Sequence, residues 1–182
     1  MKSVKQLTAC AAAIMLLSAV SSVSYADASE RIREAGHVLT PVERVIELAS
    51  DSNVDVRMAV AGRQRAPAAV LEKLALDSDK RVRFKLAYNP RLSEKGFSIL
   101  AKDKDPDVRY AVAQGTFAPL SVLTALANDP DERIRNAIAY NPNTPLPVMN
   151  VLTKDSSRQI AYAAEQNIEL RDLMEKYPER YK

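Results

Sequence analysis

Across 182 residues the chain has one cysteine, one histidine and four glycines, and each scarcity closes off a class of chemistry. His37 has no second histidine and no nucleophile at a meaningful spacing, so neither an acid–base pair nor a nucleophilic triad is legible. The glycines assemble no phosphate-cradling loop, and no cysteine–histidine cluster has zinc-ligand spacing. An excess of one charge is also missing. The 26 basic residues are interspersed with 23 acidic ones and leave no footprint for nucleic acid. Paired carboxylates occur only inside repeated loops, where repetition itself argues for architecture. The sequence therefore predicts a protein that is not an enzyme and carries no cofactor or metal.

The lone cysteine, Cys10, lies in a leader. Lys2 and Lys5 precede an apolar run from Leu7 to Val20, and Ser24-Tyr25-Ala26 offers small residues at the cleavage-determining positions. This is the pattern of a secretory signal cut after Ala26. The run is shorter than the roughly 20 apolar residues of a spanning helix. Leu7-Thr8-Ala9-Cys10 has the form of a box preceding an acylated cysteine, but here the apolar run follows the cysteine. Cys10 is thus expected to leave with the signal, and no stable membrane insertion is expected after cleavage. Removing residues 1–26 takes away two lysines and no acids, which lowers the formal charge from +3 to +1. The remaining 27–182 segment has no cysteine with which to form a disulfide in the oxidising periplasmic or secreted setting that the signal implies.

What the chain does have is a pattern that recurs every 26 residues. Leu100 to Ala113 reads LAKDKDPDVRYAVA, preceded by LASDSNVDVRMAVA and LALDSDKRVRFKLA and followed by LANDPDERIRNAIA. A fixed period in this range means stacked units, each unable to bury its apolar face alone. Two helices are legible in each unit. Pro119 opens the first, with Val122, Leu123 and Leu126 as its stripe, and Pro145 with Val148, Met149 and Leu152 repeats it. In the second helix Val108 and Val112 lie one turn apart. Ala61, Ala87, Ala113 and Ala139 form a small-residue edge that Glu165 breaks in the last copy. Asn89-Pro90 and Asn141-Pro142 turn the chain, with Gly115 in the copy between them.

The expected fold is all-α: a right-handed α-solenoid of about five 26-residue helix pairs forming a single domain over 27–182. Residues 27–47 make an N-terminal cap and half repeat, 48–166 the repeats, and 167–182 a C-terminal cap. The first helix of the cap is expected to start at Ser29 and stop at Gly36. The last is expected to carry a Leu170, Leu173 and Met174 stripe.

The succession Leu-Ala-x-Asp, Val-Arg-x-Ala-Val-Ala and Asn-Pro-x-Thr-Pro resembles the variant leucine-rich repeat family and is also similar to HEAT repeats. The best stretches are Asp129 to Arg135 and Asn141 to Thr144-Pro145, and the likeness covers about residues 40–177. It implies an α-solenoid, built from alternating α- and 3₁₀-helices in the first family or paired α-helices in the second, and a role as an interaction scaffold. The longer apolar runs after Pro67 and Pro119 lean toward HEAT. One variant-repeat protein carries an iron–sulfur cluster in a cysteine-rich segment. This chain lacks those cysteines, so that cofactor does not transfer.

The most regular charges are Asp77, Asp103, Asp129 and Asp155, and Arg57, Arg83, Arg109 and Arg135. They read as a structural ladder. Each Asp caps a helix entrance and each Arg reaches the Asp of the following unit, Arg109 to Asp129 among them. Asp103, Asp105 and Asp107 open like a calcium loop, but Val108 stands where glycine is needed and Gln114 where a bidentate Glu belongs.

The outer face of the second helix, opposite Val108 and Val112, carries Met58 with Gly62, Phe84 with Tyr88, Tyr110 with Gln114, Asn136 with Tyr140, and Tyr162 with Gln166. Such a face suits recognition of a protein or peptide through Phe84, Tyr88, Tyr110, Tyr140 and Tyr162, with neighbouring arginines as stacking partners. The same side chains are also able to pack sideways between helices. A structural packing module of an envelope assembly, or a small-ligand or metal carrier, are the other roles the pattern allows.

Overall fold

In the computed structural model, residues 27–180 are described; the expected signal, residues 1–26, lies outside the described residues. Among them every regular element is helical. Helix α1 covers residues 27–36, followed by α2 (Val42–Leu48), α3 (Val54–Ala61), α4 (Ala68–Leu74), α5 (Lys80–Leu86) and α6 (Glu94–Leu100). Next come α7 (Pro106–Gln114), α8 (Leu120–Leu126), α9 (Glu132–Tyr140), α10 (Leu146–Leu152) and α11 (Arg158–Lys176), and a 3₁₀ turn over Pro178–Arg180 closes the described chain. No helix among the described residues is long and apolar enough to cross a membrane.

Each pair is held by the same apolar columns. Leu48, Leu74, Leu100, Leu126 and Leu152 are all 1% exposed or less, and so are Val56, Val82, Val108, Ile134 and Ile160. Burial of each contributes about 1.5–3 kcal/mol. Even-numbered helices pack on the odd-numbered helix that follows: α2 on α3, α4 on α5, and on to α10 on α11. Odd helices also pack in succession from α3 to α11, and even ones from α4 to α10. Ala35, Ala61, Ala87, Ala113 and Ala139, all fully buried, give the odd helices their close approach.

The arginines cross between neighbouring units. Arg57, Arg83, Arg109 and Arg135 each fork Nε and Nη2 onto the Asp 20 residues ahead, Asp77, Asp103, Asp129 and Asp155. Arg109 Nε donates to Asp129 Oδ2 at 2.8 Å and Nη2 to Oδ1 at 3.1 Å. The remaining Nη1 of each donates to a carbonyl of its own loop, such as Asp103 O at 2.8 Å for Arg109. The rungs are buried: the side chains of Arg83 and Asp103 are 7% and 5% exposed.

The structure corrects the helix caps. The ladder aspartates accept the amide hydrogen of the residue two positions on, as Asp129 does from Asp131 at 2.9 Å, and that second residue caps the helix. Asn53, Asp79, Asp105 and Asp131 each accept from the amide two residues further along. The loop is two residues longer than a direct cap allows, which leaves the first Asp free to face the next unit. Likewise Pro41, Pro67, Pro119 and Pro145 are N-cap residues, one position before the first helical turn.

The N-terminal helix is more than a lid. Residues 27–36 are helical throughout, so Ser29 lies within α1 instead of capping it. Arg31 Nε donates to Asp51 Oδ2 at 2.7 Å, a further rung at the same 20-residue reach. At the other end α11 runs 19 residues without a break, through the expected boundary at 166/167. Ile168 stands where Pro90 and Pro142 stop the equivalent helices, so nothing forbids continuation. Leu170, Leu173 and Met174 are exposed on this extension instead of forming a packed stripe.

Asparagine amides tie the corners together. Asn89 Nδ2 donates to Ala61 O at 2.7 Å and Arg63 O at 3.0 Å, and Asn141 Nδ2 donates to Ala113 O at 2.7 Å and Gly115 O at 3.1 Å. Their Oδ1 atoms also accept from the amides of Arg91 and Asn143. In the copy between, Gly115 has no amide to offer Ala87 or Asn89, although its φ of −65° and ψ of 147° resemble the −74° and 120° of Asn141.

Two stability changes follow. Arg83→Ala leaves Asp103 buried without its cation and should lower stability by about 3 kcal/mol; an unchanged melting temperature would refute the ladder's role. Gly115→Asn should supply the missing tie, worth about 1–2 kcal/mol, and raise the thermal midpoint by roughly 3–6 °C once the Ala111, Val112 and Ala87 carbonyl oxygens, 3.3–3.4 Å from the point its β-carbon would occupy, yield slightly. Differential scanning calorimetry checks both.

Candidate binding face on the odd-numbered helices

The outer face of α3, α5, α7 and α9 is set by the rungs beneath it. The residue immediately after each ladder arginine, Met58, Phe84, Tyr110 or Asn136, stands outside the apolar columns, and the next turn brings Gly62, Tyr88, Gln114 or Tyr140 beside it. Phe84 and Tyr88 are 39% and 42% exposed, Tyr140 and Tyr162 61% and 62%. Tyr110 is half-buried and packs on the core together with Met58.

The rings organise one another. Phe84 and Tyr88 lie one turn apart on α5, with centroids 5.7 Å apart and planes tilted 60°. Gln114 Nε2 donates to Tyr110 Oη at 2.9 Å, fixing the ring that α7 presents. Burial and the neighbouring Tyr110 push the Tyr88 phenol above its ordinary range. A cavity of about 530 Å³ opens between α5 and α7, floored by Met58, Phe84, Val108 and Tyr110. A second, of about 330 Å³, lies between Tyr110, Gln114, Asn136 and Tyr140. The structure thus brings Phe84, Tyr88, Tyr110 and Tyr140 into one strip. Tyr88 and Tyr162 line neither cavity, and of the two only Tyr88 is in ring contact with another member of the strip, Phe84.

Sequence reading passed over the charges that rim this strip. Lys80 Nζ spans Asp105 and Asp107 at 3.0 and 3.2 Å, crossing from α5 to α7. Arg81 pairs with Asp79 at 2.8 Å and Arg133 with Asp131 at 2.9 Å, each along its own helix start. These arginines are engaged by carboxylates, and among the described residues no arginine stands over one of these rings. Arg81, through its side chain first and its amide second, holds the Asp79 carboxyl at about 2. Lys80 lowers Asp105 and Arg133 lowers Asp131 in the same direction. Lys85, also lining the larger cavity, has no carboxylate partner among the described residues. The signal for these rim residues was present in the repeat itself: position 81 and its equivalents read Asp55, Arg81, Asp107 and Arg133, an alternation that packing does not require.

Asp103, Asp105 and Asp107 do not converge on a common point for a cation. Asp103 is held by Arg83, while Asp105 and Asp107 share Lys80, and no group of three or more potential ligands is positioned for a metal ion among the described residues. His37 lies with Arg31, Glu34 and Arg44 in an open cavity of about 540 Å³ at the N-terminal end, away from the aromatic strip. No protein-family model matches the chain, and no curated protein aligns with it significantly.

The rim carboxylates set an acid limit. Asp79 moves from an ordinary 3.8 to about 2 on folding, so its ionised form is favoured by the folded state. Its contribution is complete above pH 3.8 and is lost as pH falls toward 2. In Arg81→Ala the midpoint should rise but stop short of 3.8, because the amide at position 81 still donates. A carboxyl-carbon NMR titration of the two proteins measures this; identical midpoints would refute the pairing.

Proposed function

We propose that this is a non-enzymatic periplasmic or secreted scaffold: a right-handed α-solenoid of about five 26-residue helix pairs that binds a protein or peptide along its odd-numbered helices. The successive packing of odd on odd and even on even helices supports the solenoid reading. The odd helices pack on one another more extensively than the even ones do. The observation that carries the binding role is the strip itself, where exposed Phe84 and Tyr140 each line a cavity shared with Tyr110, and exposed Tyr88 lies against Phe84. Large amphipathic rings at a recess bury much area for little lost rotamer freedom. Binding here is equilibrium recognition by a pre-formed surface, with no bond made or broken.

A second reading is favoured by the ends of the stack. Val38, Leu39, Val42 and Ile46 at one end and Leu170, Leu173 and Met174 at the other are exposed, as in a packing module that meets other copies end to end.

Affinity capture from envelope extract, with a Tyr110→Ala, Tyr140→Ala control, separates the two. The scaffold reading expects a partner that is lost in the control. Retention of every partner in the control would sink it. Self-association in sedimentation runs without any other bound protein supports the packing module.

A further inference from the structure

We infer that the partner segment taken by this face is acidic and apolar: a peptide that places a carboxylate within one or two residues of an aromatic or large aliphatic side chain. The inference rests on the reading of the odd-numbered helices as a binding face and adds what that face selects. The starting observation is an imbalance of charge at one end of the aromatic strip. Most surface cations nearby are neutralised: Lys80, Arg81 and Arg133 all touch carboxylates. Three are not. Lys85 and Arg65 are exposed and make no ion pair among the described residues, and Arg63, only 8% exposed, is met by carbonyl oxygens alone.

Arg63 donates to the carbonyls of Ala35, His37, Val38 and Thr40, which close off the end of α1, and its Nε is buried with no acceptor. Carbonyl dipoles hold the guanidinium in place but leave its full charge uncancelled. Beside it a cavity of about 270 Å³ is walled by Gly36, Ala59, Gly62, Arg63 and Arg65, with no carboxylate in its lining. Gly62 is what brings the third cation in. Lys85 lays its stem over it, Cε 2.8 Å from the point a β-carbon would occupy, where a larger residue would push it away.

The same Lys85 lines the larger cavity with Met58, Phe84 and Tyr110. A cationic recess and a mostly apolar one therefore adjoin where Lys85, which lines the second, crosses Gly62, which lines the first. An occupant that fills both needs an anionic group next to an apolar one, and in a peptide that is Asp or Glu, or a terminal carboxylate, beside Phe, Leu, Ile or Met. A basic peptide would set its charge against three uncompensated cations, and a purely apolar one would desolvate them without replacement.

The test is selection of a random hexapeptide phage library on the immobilised full chain, with two variants alongside: Lys85→Glu, Arg65→Glu and Tyr110→Ala, Tyr140→Ala. The charge-reversed pair changes only exposed side chains, and a thermal melt checks that it folds. Enriched clones are expected to pair an acidic with an apolar residue. Their retention should fall by about tenfold or more on the charge-reversed protein and weaken as salt is raised. A charge-neutral Lys85→Gln, Arg65→Gln protein should give an intermediate loss. Clones without acidic preference that are lost on the Tyr110→Ala, Tyr140→Ala protein would keep the binding face and overturn the acidic selection. Clones indifferent to every variant, or no enrichment at all, would overturn both.

Discussion

Everything in this fold depends on an arginine reaching out of its own unit. A pair of seven- to nine-residue helices is too short to be stable alone. It needs a neighbour, and it needs that neighbour in one register. The buried fork from Arg109 to Asp129 supplies the register, because a bidentate contact tolerates little sliding. The same guanidinium holds the loop of its own unit through Asp103 O, so one side chain sets both the bend within a pair and the step to the next. Desolvating such a pair is expensive, and its net effect on stability is smaller than its regularity suggests. Its effect on geometry is large.

That geometry explains why the outer face is free to vary. The Leu, Val and Ala columns and the rungs occupy the inward positions, leaving position 84 and its equivalents to hold Met, Phe, Tyr, Asn and Tyr in turn without disturbing the stack. A cap aspartate is able to use one oxygen on the helix start and the other on a rim cation, as Asp105 does with the Asp107 amide and Lys80. Architecture and surface chemistry thus share residues, and the surface inherits a fixed spacing of one helix per unit.

Much of this was legible because a period of 26 multiplies every signal. Helix pairs, the apolar columns and the reach of Arg to the next Asp all follow from repetition. What stayed hidden was whatever appears once or departs from the consensus. Arg31 stands 26 residues before Arg57, and Ala35 before Ala61, yet the divergent residues around them mask the kinship of α1 to the other odd helices. The length of α11 was hidden as well: Ile168 replaces the proline of two other corners, yet α3 and α7 stop without one, at corners that carry Gln64 and Thr116 there. Arg63 occupies the corner position that Asn89 and Asn141 fill elsewhere, and nothing in a propensity argument says that an arginine there will be buried among carbonyls. The aromatic strip was visible as a list of residue types. That Tyr110 sinks halfway while Tyr140 stands out depends on how closely neighbouring helices approach, which is a three-dimensional quantity.

Gly115 gives the stack an uneven stiffness. Every other corner from Arg63 to Asn167 is bonded back to the unit before it, but at Gly115 the tie is missing, and α5 and α7 pack less extensively than α3 with α5 or α7 with α9. The α5–α7 step therefore relies on the Arg83–Asp103 fork and the Lys80 bridge without a corner tie, and the cavity of about 530 Å³ spans that step. On the proposed reading, a peptide seated there would bridge α5 and α7 and stand in for the tie that Gly115 lacks.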